Sequence, residues 1–252
     1  MASNALNVSL GRFERRKNFI LIVDSEPGYC HYTSMVLQRL GYTTHTERSV
    51  AEALELSTMK PPSLVLTALK LKDGNGLHLM KQFKKNQYTT RIPFIVLRKS
   101  NDIWKESECF TSGAIDCLCS PAPAELLYRA VQKALESIPR KNIRIRTYLP
   151  IKADNIKPGY LDGACVMDLS EQGMFVRMQK PFSIDTHIAA QVHMFPRVVR
   201  ADSVVIYSTE KENGPYYQPG MGVKFVRIEA QDQETIRTYI KNEVMRGIPL
   251  PQ

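Results

Sequence analysis

The spacing of apolar residues changes near Pro139, and this change constrains the fold more than any other feature of the chain. Before it, short apolar runs at residues 19–23, 63–69 and 92–97 alternate with segments of helical period. After it, apolar residues recur at every second position in many short segments. Continuous runs between helices indicate a parallel sheet, whereas two-residue alternation indicates antiparallel strands. The chain therefore predicts two domains of different class.

The first half contains five strand–helix units between residues 18 and 138. Gly41 follows the first helical period, and Ser49 with Glu52 forms a capping box at the start of the second. Parallel strands need crossover helices and are buried on both faces. We therefore predict an α/β doubly wound, parallel five-stranded sheet, with ligand or catalytic groups at the carboxyl ends of its strands.

The second half predicts a small antiparallel β-barrel followed by a C-terminal helix. Its predicted strands are residues 144–152, 161–168, 173–178, 187–194, 197–207 and 221–228. Four residues at helical spacing predict the terminal helix, namely Ile236, Tyr239, Ile240 and Val244. The expected domains are a flexible N-terminal segment (1–17), the α/β domain (18–138), a basic linker (139–147), and the barrel with its helix (148–252).

Composition and pattern exclude several classes of function. The formal net charge of +9 favours anionic partners, but no helix-turn-helix pattern or basic helix face predicts DNA binding. The five cysteines form no CxxC pair, so we expect reduced thiols and no metal site. The sequence contains no pattern of a nucleophile with its general base, so we do not expect an enzyme. We also expect no cofactor. Without a signal-peptide core or an apolar run near the ~20 residues that span a bilayer, we expect a cytoplasmic protein.

Four segments of the first half carry a resemblance to a known family: ILIVDSEPGY, SLVLTALKLKDGNGLHLM, IPFIVLRKS and GAIDCLCSP. Their order and spacing resemble the bacterial response-regulator receiver domain over nearly the whole first half. The resemblance implies a site at the strand ends where an aspartate takes a phosphoryl group and an acidic pair holds Mg²⁺. It also implies a lysine and a hydroxyl residue that stabilise the acyl phosphate.

The chain departs from this family pattern at the phosphorylation site, although Asp24 matches the first acidic residue. The departures are Ser25 for the second acidic residue, Ala68 for the phosphoacceptor, Arg98 for Ser/Thr, Ser120 for the lysine, and Cys117 for a common aromatic residue. The methyl group of Ala68 offers no nucleophile, and Mg²⁺ lacks two carboxylate ligands. We therefore expect a degenerate receiver that is not phosphorylated, with the Arg98 guanidinium paired to Asp24 or Glu26.

Such a receiver has two interpretations. It can serve as a docking or dimerisation module, since the helix near Trp104 and Phe110 is of the type that receivers use for pairing. It can also be a scaffold that has no partner, although we favour docking. The protein partner and a homodimer both stay open at this point.

Two short motifs near the domain boundary carry the second resemblance. Arg140 and Arg144 form an RxxxR segment just before the first barrel strand, and Asp168, Ser170 and Gly173 form a DxSxxG segment near the end of the second strand. In this order and distance, on a barrel pattern, they resemble the PilZ domain. The resemblance implies binding of cyclic di-GMP, which has two phosphates and two guanines.

The residue types suit this ligand. Arginine presents a planar fork of donors to a phosphate or to the O6/N7 edge of guanine. Asp168 can accept from guanine N–H groups, and Ser170 lies on the same side of an extended chain. Gly173 permits close backbone approach and a positive φ where the bend requires one. Arg146, where the family often has proline, adds a further cation to the candidate site.

We therefore expect a cyclic di-GMP receptor whose basic linker becomes ordered on binding and reorients the non-phosphorylatable receiver to control a protein partner. Each motif also has a simpler interpretation, because Arg140 and Arg144 can be solvated linker charges and Asp168 to Gly173 an Asx-type turn. The alternative function is a ligand-free protein-interaction adaptor in a motility or envelope assembly. A phosphorelay regulator is disfavoured by Ala68.

Overall fold

The structure is a computed structural model that describes residues 19–99, 102, 106–140, 142–157, 161–210 and 218–251. These residues form two compact units. The first contains residues 19–140 together with 245–251, and the second contains residues 142–244. The expectations for the segment 1–17 and for Trp104 fall outside the described residues.

The first unit alternates strands with helices along the chain. Its elements are β1 (Ile20–Val23), α1 (Pro27–Arg39), β2 (Thr44–Glu47), α2 (Val50–Met59), β3 (Leu64–Ala68), β4 (Lys70–Leu71), β5 (Gly74–Asn75), α3 (Gly76–Lys85), β6 (Phe94–Arg98), α4 (Glu106–Thr111), β7 (Asp116–Cys119) and α5 (Ala124–Leu135). Five strands form one parallel sheet in the order β2-β1-β3-β6-β7, and β4 pairs with β5 in a short antiparallel hairpin.

The central strands β1 and β3 are buried along their whole length, as expected for a sheet covered on both faces. On one face, Phe83 of α3 packs edge-to-face against Phe94 of β6, with ring centroids 5.1 Å apart. Because all five strands run in the same direction, their carboxyl ends lie along one edge of the sheet. That edge carries the residues that the sequence places at the degenerate phosphorylation site.

Local hydrogen bonds fix the loops along this edge. Ser49 caps α2 by accepting from the Glu52 amide at 3.2 Å, as the capping box predicts. Asp73, in the β4–β5 hairpin, accepts from the amides of Val50 (2.7 Å) and Ala51 (3.0 Å) at the start of the same helix. These bonds lower the pKa of Asp73. The hairpin that follows β3 is thereby fastened to α2, which holds the chain beyond Ala68 in place.

The second unit is a closed antiparallel barrel followed by a helix. Its elements are β8 (Ile145–Ala153), β9 (Cys165–Ser170), β10 (Gly173–Arg177), β11 (His187–Met194), β12 (Arg197–Thr209), β13 (Gly220–Ile228) and α6 (Ala230–Met245). The strands close in the order β10-β13-β12-β11-β8-β9.

A row of apolar residues in register fills the barrel interior. The paired residues are Ile145, Leu169, Met174, Val223 and Val205, on β8, β9, β10, β13 and β12. All five are buried. Since side chains alternate along a strand, the residues next to this row point outward, and the motif residues are among them.

Both predicted architectures are confirmed: a five-stranded parallel sheet, and a closed antiparallel barrel with a C-terminal helix. The segment 139–147 is not all linker, because β8 begins at Ile145 and the two units divide between residues 140 and 142. In α6, Ile236, Ile240 and Val244 are buried, whereas Tyr239 is partly exposed. Within the described parts of the chain, no helix is long and apolar enough to cross a membrane.

Candidate functional site

The carboxyl edge of the parallel sheet holds the residues of the degenerate phosphorylation site. Ala68 ends β3, is 2% exposed, and lies in register with Leu97 of β6. Asp24 follows β1 directly and is 1% exposed. Asp24 Oδ1 accepts a hydrogen bond of 3.0 Å from the Glu26 amide. The phosphoacceptor position therefore presents a methyl group beside a buried carboxylate.

Lys99 supplies the cation that neutralises this edge. Its Nζ lies 2.6 Å from Glu26 Oε1 and 3.5 Å from Asp24 Oδ1. The same ammonium lies 4.1 Å from the centroid of the Tyr29 ring, within the range of a cation–π contact. The Lys99 side chain is only 16% exposed. The mostly buried Lys99 side chain thus brings its ammonium to both acids, of which Asp24 is buried and Glu26 is 55% exposed.

The pKa values reflect this arrangement. Burial raises the pKa of the Asp24 carboxyl, while the Glu26 amide and the Lys99 ammonium oppose that rise. For Lys99, burial lowers the pKa, but the hydrogen bond to Glu26 and the charges of Asp24 and Glu26 outweigh it and raise the pKa overall. Lys99 is therefore held in its charged form next to the acids.

The ion pair predicted for Arg98 is wrong, because Lys99 makes it. Arg98 is in register with Cys119 of β7, and its Nη2 lies 4.0 Å from Cys119 Sγ. Residues paired across two strands face the same side of a sheet, so Arg98 extends toward Cys119. Lys99, one residue beyond the strand, extends to the end of β1 and reaches Asp24.

The other degenerate positions also lack the family chemistry. Ser25 Oγ donates to the Lys70 carbonyl at 3.4 Å, and the Ser120 amide donates to the Arg98 carbonyl at 2.8 Å. Cys117 is partly buried, and this burial, with the neighbouring Cys109 thiol, raises its pKa to about 12. Phe110, on the helix named as a docking face, is 43% exposed.

The residues on this edge do not fit a magnesium ion. A hard cation needs clustered oxygen ligands, and Ser25 and Ala68 stand where two carboxylates are needed. The Lys99 ammonium beside Asp24 adds a positive charge at the same place. Among the described residues, no group of three His, Cys, Asp or Glu side chains is arranged to hold a metal.

The barrel brings the second set of predicted residues onto one outward face. Arg146 of β8 is in register with Asp168 of β9, and Asp168 with Phe175 of β10. The row continues through Gly222 of β13 to Tyr207 of β12. The rings of Phe175 and Tyr207 are stacked, with centroids 6.2 Å apart and planes inclined by 17°. A cation, a carboxylate and two aromatic rings therefore follow one another across the barrel wall.

A second row lies one step along the strands. Ser170 pairs with Gly173, and Gly173 pairs with Lys224 of β13. The Ser170 hydroxyl donates to the Gly173 carbonyl at 3.0 Å. Glu171 and Gln172 alone connect the two strands, so the DxSxxG motif is a tight β9–β10 hairpin.

Gly173 is needed for packing between strands. A Cβ on Gly173 would clash with the Val223 carbonyl oxygen and lie 3.3 Å from the Lys224 Cα. Its φ is not positive, so the positive φ allowed for in the sequence prediction is not used. The close backbone approach that the prediction named is made to β13.

The arginines of the RxxxR segment belong to different units. Arg144 and Arg146 are exposed and alternate with buried Ile143 and Ile145, so both point outward on the barrel. Arg140 belongs to the first unit, where its amide donates to Gln132 Oε1 at 3.1 Å. The structure therefore brings Arg144, with Arg146, onto the face that carries Asp168, Ser170 and Gly173. Asp168 and Ser170 are each 7% exposed.

Sequence reasoning missed three features of these sites. It assigned the charge of the strand-end cluster to Arg98 and overlooked Lys99, the next residue. It also overlooked Lys224 and the Phe175–Tyr207 pair. The Phe175–Tyr207 pair could have been found from Gly220 and Gly222, which lie two positions apart on one face of the last strand. A glycine on a barrel wall leaves room for a ring from the neighbouring strand.

Together, fold and site define a two-domain protein with an α/β domain that lacks phosphorylation chemistry and a barrel with cations and a carboxylate on one wall. Residues 20–132 match the response regulator receiver domain family, and residues 139–242 match the PilZ domain family. The chain is thus a response regulator receiver domain followed by a PilZ domain. Both are non-catalytic domains of signal transduction.

Relatives of known name match about half of the chain. The chain is 28% identical over 120 residues to the photosynthetic apparatus regulatory protein RegA of Cereibacter sphaeroides, covering 48% of this chain and 64% of RegA. It is 33% identical over 115 residues to the response regulator protein PilR of Pseudomonas aeruginosa, covering 46% of this chain and 25% of PilR. The receiver domain of NtrX from Brucella abortus is a solved structure similar to this chain, with 26% identity, a TM-score of 0.44, and coverage of 47% of this chain and 99% of NtrX's receiver.

Proposed function

We propose that this protein is a cyclic di-GMP receptor, with the outward face of β8, β9 and β10 as its binding site. The observation that carries the proposal is the register of Arg146 with Asp168, with Arg144 and Ser170 on the same face. These four side chains offer two cationic forks, a carboxylate and a hydroxyl. A ligand with two phosphates and two guanines needs this combination.

Each group has a role suited to its chemistry. The exposed guanidinium groups of Arg144 and Arg146 meet the phosphates or the O6/N7 edge of a guanine. The carboxylate of Asp168 accepts from guanine N–H groups, and the hydroxyl of Ser170 bonds to base or phosphate. Because Asp168 and Ser170 are each 7% exposed, their engagement follows a local rearrangement of the wall.

In this proposal the receiver domain keeps one internal conformation during signalling, and only its orientation changes. Ala68 offers no nucleophile at its strand-end site, so we do not expect phosphorylation to switch it. Ligand binding that engages Arg140 together with the barrel residues reorients the receiver, and a protein partner distinguishes the two arrangements. The ligand can shift this equilibrium only by its difference in affinity for the two arrangements.

Titration calorimetry of the full chain with cyclic di-GMP tests the binding site. Charge-assisted hydrogen bonds contribute about 1.5–3 kcal/mol each, so Arg144→Ala is expected to weaken binding by about tenfold or more. The control is Arg197→Ala, which removes an exposed arginine from β12 at the β11–β12 turn. Equal affinities for the two variants would remove Arg144 from the site. No heat of binding from the unmodified protein would favour the ligand-free adaptor.

A further inference from the structure

The tip of the DxSxxG hairpin is fixed to the terminal helix by one arginine. The tip consists of Glu171 and Gln172, and its backbone is anchored in the barrel because the Phe225 amide donates to the Gln172 carbonyl at 3.0 Å. The side chain of Glu171 extends to α6. There Arg237 donates to Glu171 Oε2 from Nη2 at 3.1 Å and from Nε at 3.3 Å.

The Arg237 guanidinium is oriented by a second carboxylate. Its Nη1 donates to Glu234 Oε2 at 2.9 Å, one turn earlier on α6. The hydrogen bond and the charge of Glu171, followed by the charge of Glu234, raise the pKa of Arg237. All three nitrogens of the fork are thus directed at carboxylates. A guanidinium held in this way loses less conformational freedom in keeping its contact with Glu171 than a side chain with a single partner would.

The helix is attached to the barrel at another point as well. Asp232, in the first turn of α6, accepts from the Arg200 amide of β12 at 2.9 Å. Ile236 and Ile240 lie on the buried side of the helix, 0% and 5% exposed. The first half of α6 is therefore held in place, and a shift of this half relative to the hairpin must break the contact between Arg237 and Glu171.

Glu171 also affects the electrostatics of the candidate site. It follows Ser170 directly, so a Glu171 carboxylate that is not held at α6 is close enough in the chain to approach the groups proposed to bind a doubly anionic ligand. An uncompensated negative charge there would oppose such a ligand. The guanidinium of Arg237 draws this carboxylate toward the helix and offsets its charge.

We propose that Arg237 is a positioning residue for anion binding at the DxSxxG hairpin and that α6 senses the occupancy of this hairpin. The inference rests on the proposed cyclic di-GMP site and adds an element that responds to it. Coupling between two sites is reciprocal. If the attachment of α6 strengthens ligand binding, ligand binding must strengthen the attachment of α6 by the same factor.

Calorimetry with cyclic di-GMP on four variants of the full chain tests the role of Arg237. We expect Arg237→Gln to weaken binding by roughly threefold to fivefold, the scale of an exposed ion pair. Arg237→Lys should recover most of the loss. Lys241→Gln removes an exposed cation one turn further along α6 and should leave affinity unchanged. Because Arg237 acts through Glu171, adding Glu171→Gln to Arg237→Gln should cause no further loss.

Two results would overturn the inference. One is the same affinity for Arg237→Gln and Lys241→Gln; the other is a double variant that binds cyclic di-GMP more weakly than Arg237→Gln alone. Hydrogen exchange provides a readout that a purely structural role would not move. Ligand should slow amide exchange in the first half of α6 in the unmodified protein but not in Arg237→Gln.

Failure of the proposed function gives a different pattern. If the unmodified protein does not bind cyclic di-GMP, the receptor proposal falls, and ligand-free exchange then decides the role of Arg237. In that case Arg237→Gln should still speed exchange at residues 169–174 and in the first half of α6, relative to Lys241→Gln. Identical exchange in the two variants would show that Arg237 does not position the hairpin.

Discussion

The receiver edge and the barrel wall both gather charged side chains at neighbouring strands, yet they differ in how the charge is balanced. At the receiver edge, Lys99 pairs with Asp24 and Glu26 and is largely buried. On the barrel wall, Arg144 and Arg146 are exposed and point away from the interior. A cluster whose charges neutralise one another in a mostly buried site has little to offer a ligand, whereas exposed cations stay accessible to an anion in solution.

The two regions also use burial in opposite ways. Moving a charge out of water is costly unless a partner compensates it, so the buried Asp24 depends on the ammonium beside it. An exposed guanidinium such as that of Arg144 keeps most of its hydration, so its charge does not depend on a buried partner. The first region is therefore sensitive to the loss of a single internal partner. The second is sensitive to the geometry of the strands that display its side chains.

The largest effect is expected from Lys99→Met, which keeps most of the side-chain volume but leaves Asp24 buried without its cation. Removing one partner of a buried pair typically costs about 3–5 kcal/mol, and with Lys99 16% exposed we expect about 2–4 kcal/mol. Urea denaturation of the full chain measures this loss of stability. Amide exchange in β1 and β3 then shows that the loss falls on the first unit. Lys81→Met, at an exposed position on α3, is the control.

The same variant should show a characteristic pH dependence. Burial keeps the pKa of Asp24 in the folded variant above its unfolded value, about 3.9. The folded state then binds a proton more readily than the unfolded state, so stability rises as pH falls through the folded pKa. The gain levels off below the unfolded value. A stability loss, measured against the unmodified protein, that does not shrink as the pH falls would contradict the assignment of Lys99 to Asp24.

An intermediate effect is expected from Gly173→Ala on the barrel wall. The added methyl group meets the Val223 carbonyl, and overpacking of this kind costs about 1–3 kcal/mol. Gly28→Ala is the control, since its Cβ would lie 3.5 Å from the Pro251 Cβ, an ordinary contact. Thermal unfolding of both variants measures the difference. Equal melting temperatures would show that the β10–β13 approach tolerates a side chain.

The smallest effect is expected when Mg²⁺ and acetyl phosphate are added to the unmodified protein. Because Ala68 offers no nucleophile and Lys99 occupies the acidic edge, the melting temperature should change by less than about 1 °C. Cyclic di-GMP should raise it by mass action at concentrations above its dissociation constant. A stabilisation by Mg²⁺ that disappears in Asp24→Asn would show that the receiver edge binds a cation after all.

The fold could be predicted well because its signals are local. The continuous apolar runs of β1 and β3 indicate strands buried on both faces, and the alternation along β11 gives its observed limits, His187–Met194. The capping residues Ser49 and Glu52 fix the start of α2. The sequence predicts both a strand from residue 144 and a linker up to residue 147, and in this overlap the structure has the strand, with Ile145 and Thr147 buried.

The candidate site could be predicted only where one motif lies on one hairpin. Asp168, Ser170 and Gly173 are close in sequence, so their shared face follows from alternation alone. The choice between Arg98 and Lys99 depends on which of two adjacent side chains turns toward β1, and periodicity carries no such information. The contact of Glu171 with Arg237 joins residues far apart in the chain, so only the folded barrel brings them together.

The ring of Tyr207 lies across Gly222, where a Cβ would overlap it. The size of residue 222 thereby sets how closely the Tyr207 ring packs on β13, next to Phe175 and Asp168. An alanine at this position would lift the phenol off the strand and tilt it away from its partner ring. A single methyl group at residue 222 would therefore move the aromatic pair next to Asp168, without altering any charged residue of the candidate site.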